Sequence, residues 1–113
     1  MIVGIGIDLV ETDRLERVLR RHGSRFERRV YTPAEVVYYR DRAPELAVRF
    51  AAKEAVYKAF ADDRSLGWKD MTILNDENGK PYCRLKNKNF HGTILISISH
   101  THNYAVASAI ITS

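Results

Sequence analysis

The stretch RFAAKEAVYKAF, residues 49–60, has to be placed before the rest of the chain can be read. It is helix-forming throughout, and the alanines at 51, 52, 55 and 59 offer so little side chain that whatever lies against them must approach closely. The same stretch carries Arg49, Lys53, Glu54 and Lys58. In helical spacing Arg49 and Lys53 stand one turn apart on one face, and Glu54 and Lys58 on another. A solvated face with ordinary ion pairs would account for them, each pair contributing about 0.3–0.5 kcal/mol. The small residues around the charges argue against a free surface: charges beside tight packing call for a ligand or a partner.

Working outward, Pro44 opens this long helix, expected over residues 44–61. Upstream, TPAEVVYYR reads as a capping box, with Thr32 as N-cap, Pro33 at the first helical position and Glu35 three residues on. Leu15, Val18 and Leu19 fall on one face of an earlier helix among arginines, with Gly23 as its C-cap and a short further turn from Ser24. The N-terminal IVGIGIDL predicts a strand over residues 2–7, whose Gly4 and Gly6 share a face and admit close approach of another backbone. Downstream the period changes. DMTILN and YCRL read as strands about the turn DENGKP, and GTILISISH and YAVASAII as strands about THN. The order is an N-terminal strand, a helical segment with one long helix, then antiparallel strands: an α+β fold with helices packed on an antiparallel sheet.

At 113 residues, the expectation is a single domain over 1–113. Hydrophobic residues at 45% and charged residues at 28% are those of a globular chain, not a disordered one. Net charge of +4 points to an acidic partner. A lone cysteine, Cys83, excludes an internal disulfide. The apolar N-terminus meets Asp8 and Glu11 without a basic leader, and no apolar run approaches the roughly 20 residues that span a bilayer. A cytoplasmic protein with no membrane partner is expected.

Four constellations carry potential chemistry. Asp8 follows an apolar strand; alone it reads as a turn residue, but facing Glu54 it makes a pair of hard oxygen donors suited to Mg²⁺ with water and phosphate oxygens. In ISISHTHNY, Ser97 and Ser99 share a strand face with His100 at the exit. Neighbours on a strand point to opposite faces, which weakens a serine–histidine nucleophile. His100 and His102 have a metal-like spacing but lack a third soft ligand for zinc. The hairpin turn ENGKPY could hold a phosphate or a base edge with backbone N–H groups and Lys80. The last set is Arg14, Arg17, Arg20, Arg21, Arg25, Arg28 and Arg29. Interleaved Glu16 and Glu27 dilute it and no nucleic-acid motif accompanies it, so an acidic protein fits it at least as well as nucleic acid.

GIGIDLVE, RFAAKEAVYKAF, NGKP and ISISHT, in that order along the chain, resemble the holo-[acyl-carrier-protein] synthases, the short bacterial-type branch of the 4′-phosphopantetheinyl transferases. The resemblance implies that fold and an enzyme of fatty acid biosynthesis. Such an enzyme moves the phosphopantetheine arm of coenzyme A onto a serine of apo acyl carrier protein and releases adenosine 3′,5′-bisphosphate. It implies Asp8, Glu54 and Lys58 as catalytic residues, Asp8 and Glu54 holding Mg²⁺ and Lys58 neutralising phosphate charge. Coenzyme A contacts are implied for Arg49, Lys53, Lys58, Asn78, Gly79, Lys80, Pro81, Ser99, His100 and Thr101. Arg14, Arg25 and Arg29 match the surface that docks the acidic carrier. Short members are typically homotrimers with active sites between subunits.

The chain departs from the family pattern after Phe60, where Ala61, Asp62 and Asp63 replace a glycine-rich turn. That bears on coenzyme A affinity and carrier choice, and keeps open a transferase serving polyketide or peptide carriers. A basic binding module without chemistry is the competing class; converging carboxylates at Asp8 and Glu54 would be of no use to it.

Overall fold

The computed structural model describes every residue except Asp62, Arg64, Asn87 and Lys88. Strand β1 (Ile2–Glu11) leads into α1 (Thr12–Val30), α2 (Pro33–Tyr39) and α3 (Ala43–Ala59). A short 3₁₀ turn (Trp68–Asp70) then precedes β2 (Met71–Asn75), β3 (Pro81–Leu85), β4 (Thr93–His100) and β5 (Tyr104–Thr112). The α+β class holds. The strands form two antiparallel sheets, not one: β1-β5-β4, and the hairpin β2-β3.

Alternation along the strands decides what α3 touches. On the inner face of the large sheet lie Gly4, Gly6, Asp8 and Val10 of β1, with Ala105, Ala107, Ala109 and Ile111 of β5, the latter four all buried. A Cβ added at Gly4 would sit 1.9 Å from the Ala59 carbonyl oxygen, and one at Gly6 1.9 Å from that of Ala55. The glycines therefore let strand backbone rest directly on helix backbone, as their shared face predicts. Around this contact a core gathers Ala51, Ala52, Ala55 and Val56 with Met71, Ile73 and Ile96. A second cluster joins Leu15, Val30 and Tyr31 to Leu46, Ala47 and Val48.

Local signals mostly hold. Gly23 takes φ 52°, ψ −131° and kinks α1, and helical structure resumes beyond it. The capping box at Thr32 is formed: the Thr32 N–H donates to Glu35 Oε1 at 2.9 Å and Thr32 Oγ1 accepts from the Glu35 N–H. Element ends differ. β1 runs on to Glu11, where the expectation stopped at residue 7, because β5 continues to pair with it as far as Glu11↔Tyr104. Helix α3 begins at Ala43 and ends at Ala59, and Ala61 beyond it takes φ 58°. That left-handed conformation costs an alanine about 1–2 kcal/mol, which a glycine would avoid.

The outer face of the large sheet is also apolar. Val3, Ile5, Ile7 and Leu9 are all exposed, Ile5 at 72%, and Leu95 of β4 is exposed beside them. The register aligns Ile5 with Ile110 and Leu95, and Leu9 with Val106. Such a contiguous patch marks an interaction surface. Among the described residues no helix is long and apolar enough to cross a membrane.

Gly6→Ala should cost about 3 kcal/mol of stability in denaturant unfolding, since the new methyl group meets helix backbone that cannot yield. A variant as stable as the parent would contradict the direct backbone contact.

Candidate active site

Two turns of α3 and the inner face of β1 build the site. Asp8 follows Gly4 and Gly6 on the face that lies against α3, which brings its carboxylate within 3.2 Å of Lys58 Nζ. The same ammonium donates to the Ile7 carbonyl at 3.0 Å. One turn back on α3, Glu54 Oε1 accepts the indole N–H of Trp68 at 2.7 Å. Asp8 and Glu54 line a single cavity of about 500 Å³, whose wall includes Arg14, Leu15, Phe26 and Phe50. Glu54 also borders a second cavity of about 350 Å³ with Tyr57, Leu66, Gly67 and Trp68. A larger hollow of about 980 Å³ between α1 and the α2–α3 junction holds none of the expected site residues and mixes both signs of charge.

The donor set bears on the metal. Asp8 and Glu54 offer carboxylate oxygens to one cavity, which fits a hard cation that keeps several waters. Among the described residues no three His, Cys, Asp or Glu side chains cluster to form a protein-only cage. His100 and His102 gain no third ligand among the described residues.

The other pair of α3 cations is a correction. Lys53 is 0% exposed and Arg49 1%, so neither presents its charge to a coenzyme. Lys53 Nζ lies 2.6 Å from Glu35 Oε1 and donates to the carbonyls of Val30 at 2.6 Å and Trp68 at 3.0 Å. Burial lowers the Lys53 amine from its usual range, and the Glu35 carboxylate works against that shift. Glu35 also accepts the Ile73 N–H at 2.6 Å, so one residue caps α2 and ties it to α3 and β2. Arg49 donates to Glu45 Oε2 at 3.0 Å, the Tyr39 hydroxyl at 2.7 Å and Asn75 Oδ1 at 2.9 Å. It also sits 4.1 Å from the centre of the Tyr39 ring. The tight packing around these charges was matched by a protein partner, not a ligand.

The remaining expected contacts lie outside the Asp8–Glu54 cavity of this chain. Asn78, Gly79 and Lys80 form the β2–β3 turn, and Pro81 opens β3. The N–H groups of Asn78 and Lys80 both donate to Asp76 Oδ1 at 2.9 Å, and that of Gly79 to the Asp76 carbonyl. The turn spends on itself the donors expected to hold a phosphate; Lys80 remains exposed. Ser99 pairs with Val106 on the outer face, whereas Asp8 pairs with Ala107 on the inner one. His100 is exposed at the end of β4, and Thr101 Oγ1 accepts the N–H groups of Asn103 and Tyr104. Arg14 reaches the cavity wall; Arg25 and Arg29 are exposed beyond the kink of α1. In the departure after Phe60, Asp63 accepts the Ser65 N–H at 3.0 Å and hydroxyl at 2.8 Å, which hold its carboxyl below its usual range. Asp62 lies outside the described residues.

Sequence reasoning missed Trp68, Glu35 as a buried acid, and the aromatic wall of Phe26 and Phe50. The available signal was chemical: a sole tryptophan after a turn glycine needs an acceptor for its N–H once it is packed.

Residues 4–109 match the 4′-phosphopantetheinyl transferase superfamily. A holo-[acyl-carrier-protein] synthase of Protochlamydia amoebophila is 45% identical, over 97% of this chain and 98% of the relative. One of Thermodesulfovibrio yellowstonii is 40% identical, over 99% and 100%. The crystal structure of Helicobacter pylori holo-[acyl-carrier-protein] synthase in complex with coenzyme A superposes with a TM-score of 0.88 at 30% identity, over 96% of this chain and 99% of that one. A Bacillus anthracis holo-(acyl-carrier-protein) synthase crystallised with CoA (3′,5′-ADP) also gives 0.88, at 33% identity over 100% and 98%.

Lys53→Met should lower unfolding stability by about 3–5 kcal/mol, because Glu35 is left buried and unpaired. Denaturant titration measures the loss, and a change below 1 kcal/mol would refute a structural role for the pair.

Proposed function

The chain belongs to the 4′-phosphopantetheinyl transferase superfamily, and from that premise we propose that it transfers the 4′-phosphopantetheine group of coenzyme A to a serine hydroxyl of apo acyl carrier protein. The reaction is Mg²⁺-dependent, releases adenosine 3′,5′-bisphosphate and serves fatty acid biosynthesis in the cytoplasm. The observation that carries this reading is the convergence of Asp8 and Glu54 on one cavity beside Lys58. A binder of anions has no use for paired carboxylates there.

Attack on a diphosphate must overcome negative charge on the electrophile and on the departing group. Mg²⁺ bound between Asp8 and Glu54 would supply part of that compensation. Lys58 supplies more: its ammonium, about half exposed and held by Asp8 and the Ile7 carbonyl, is placed to move onto a phosphate oxygen. The carrier serine must lose its proton to a base at the same cavity. Glu54 Oε2 takes no hydrogen bond from the described residues and is the oxygen left for the cation. Arg14 at the cavity rim, with Arg25 and Arg29 further along α1, offers cations to an acidic carrier, and Leu15 and Phe26 offer apolar surface between them.

Assembly supports the same reading. The outer sheet face carries Val3, Ile5, Ile7 and Leu9 into solvent, and a second copy is the occupant that suits it, in a homotrimer. Ser99 lies on that outer face, away from Asp8. Ser99–Thr101 would there meet coenzyme A bound by a neighbouring subunit, and the Asn78–Pro81 turn, with its exposed Lys80, is proposed to contact the same ligand.

Glu54→Ala should reduce transfer at least a hundredfold, read as loss of the phosphopantetheine mass increase on apo carrier with coenzyme A and Mg²⁺; undiminished turnover would refute the assignment. Light scattering should give the mass of three chains for the parent, and Ile5→Asp should yield monomers with little activity. A monomeric parent at full activity would overturn the shared-site reading.

A further inference from the structure

Trp68 is the sole tryptophan of the chain, and consecutive residues of α3 take its indole N–H and its carbonyl. Its indole N–H donates to Glu54 Oε1 at 2.7 Å, and its carbonyl accepts from Lys53 Nζ at 3.0 Å. We propose that Trp68 is a positioning residue for the transfer: its indole N–H holds one oxygen of Glu54 so that the other faces the cation and the diphosphate, while Lys53 anchors the turn that carries the indole. The inference rests on the transferase reading, in which Glu54 binds Mg²⁺.

A glutamate on a helix has freely turning side-chain bonds, and ordering such a side chain costs up to about 2 kcal/mol. A hydrogen bond to its carboxylate offsets that cost before any ligand arrives, because bonds to a charged acceptor are about twice as strong as neutral ones. The donor must itself be fixed, and here it is. The Trp68 ring packs on Phe50 with centroids 6.0 Å apart. Its carbonyl is held by Lys53, which is locked by Glu35 and by the Val30 carbonyl. The turn is braced by the Gly67 N–H donating to Asp70 Oδ2 at 2.8 Å, and by the Lys86 N–H donating to the Asp70 carbonyl at 2.8 Å. A continuous set of contacts, buried at the cap of α2 and Lys53 and part-buried at Trp68 and Glu54, thus links these residues. Indole is a donor only, so it occupies Oε1 without competing for the ion. One oxygen left for the metal suits Mg²⁺, which demands near-octahedral geometry and takes few protein ligands.

The test uses the full chain with coenzyme A and apo carrier at saturation and Mg²⁺ as the titrant. Trp68→Phe keeps an aromatic ring and removes the N–H. It should raise the half-saturating Mg²⁺ concentration about tenfold while the KM for coenzyme A moves less than twofold. The rise in melting temperature that Mg²⁺ produces with coenzyme A bound should move to the same higher concentrations. Because the tryptophan is unique, expression in an auxotroph supplied with β-(3-benzothienyl)alanine replaces only this N–H by sulfur, and retains the ring shape if the phenylalanine variant folds poorly. The same shift is expected. Wild-type Mg²⁺ half-saturation in the benzothienyl protein would overturn the positioning role and leave the metal role of Glu54 standing. Equal losses in Mg²⁺ response, coenzyme A KM and melting temperature would also overturn it, as a merely structural effect. Undiminished Mg²⁺-dependent transfer by Glu54→Ala would remove the metal role itself.

Discussion

Strand β1 rests on helix α3 with almost no side chain between them. At Gly4 and Gly6 a single added carbon would fall 1.9 Å from a carbonyl oxygen of α3, so the spacing of the two elements is set by backbone against backbone. Every later feature of the site depends on that spacing. Asp8 shares the face of Gly4 and Gly6 and is carried down to Lys58, 3.2 Å away. With a bulkier strand the carboxylate would be lifted off the helix. The alanines of β5 at 105, 107 and 109, all buried, extend the same close packing across the sheet.

Helix α3 divides its charges between two environments. Arg49 and Lys53 point into the protein and bind α2, β2 and the 3₁₀ turn together; Glu54 lines the cavity, and Lys58 lies half-exposed against Asp8. The division is physically coherent, because a fully desolvated ammonium is tolerable only when paired and hydrogen-bonded, and Lys53 has one carboxylate and two carbonyls. Rigid placement of the helix by the buried pair leaves Lys58 free to exchange its present partners for a phosphate oxygen. Trp68 touches both sets, which makes the small turn before β2 more than a connector.

The large sheet has two faces of different use. The inner face is small and packs on α3, while the outer face shows branched aliphatic side chains to solvent. An apolar outer face of this kind is costly for an isolated chain and ordinary for one that assembles.

Much of this was legible in the residues. Glycines at alternate positions announced close approach, a Thr-Pro-Ala-Glu box marked the start of α2, and the alanines of residues 49–60 announced a buried helix. Four motifs in order identified the family, since short-range signals of this kind need no knowledge of distant contacts. What the residues did not determine was partnership. Lys53 and Glu54 are neighbours with equal claims to a ligand, and only the fold, by bringing Glu35 from α2 and the Trp68 carbonyl to one of them, buried that one. Likewise the N–H groups of the Asn78 and Lys80 turn positions read as open to a ligand, and in the fold they donate to Asp76. Sequence periodicity states which way a side chain points along its own element; the identity of what it meets there depends on how separate elements pack, and that is decided by tertiary structure alone.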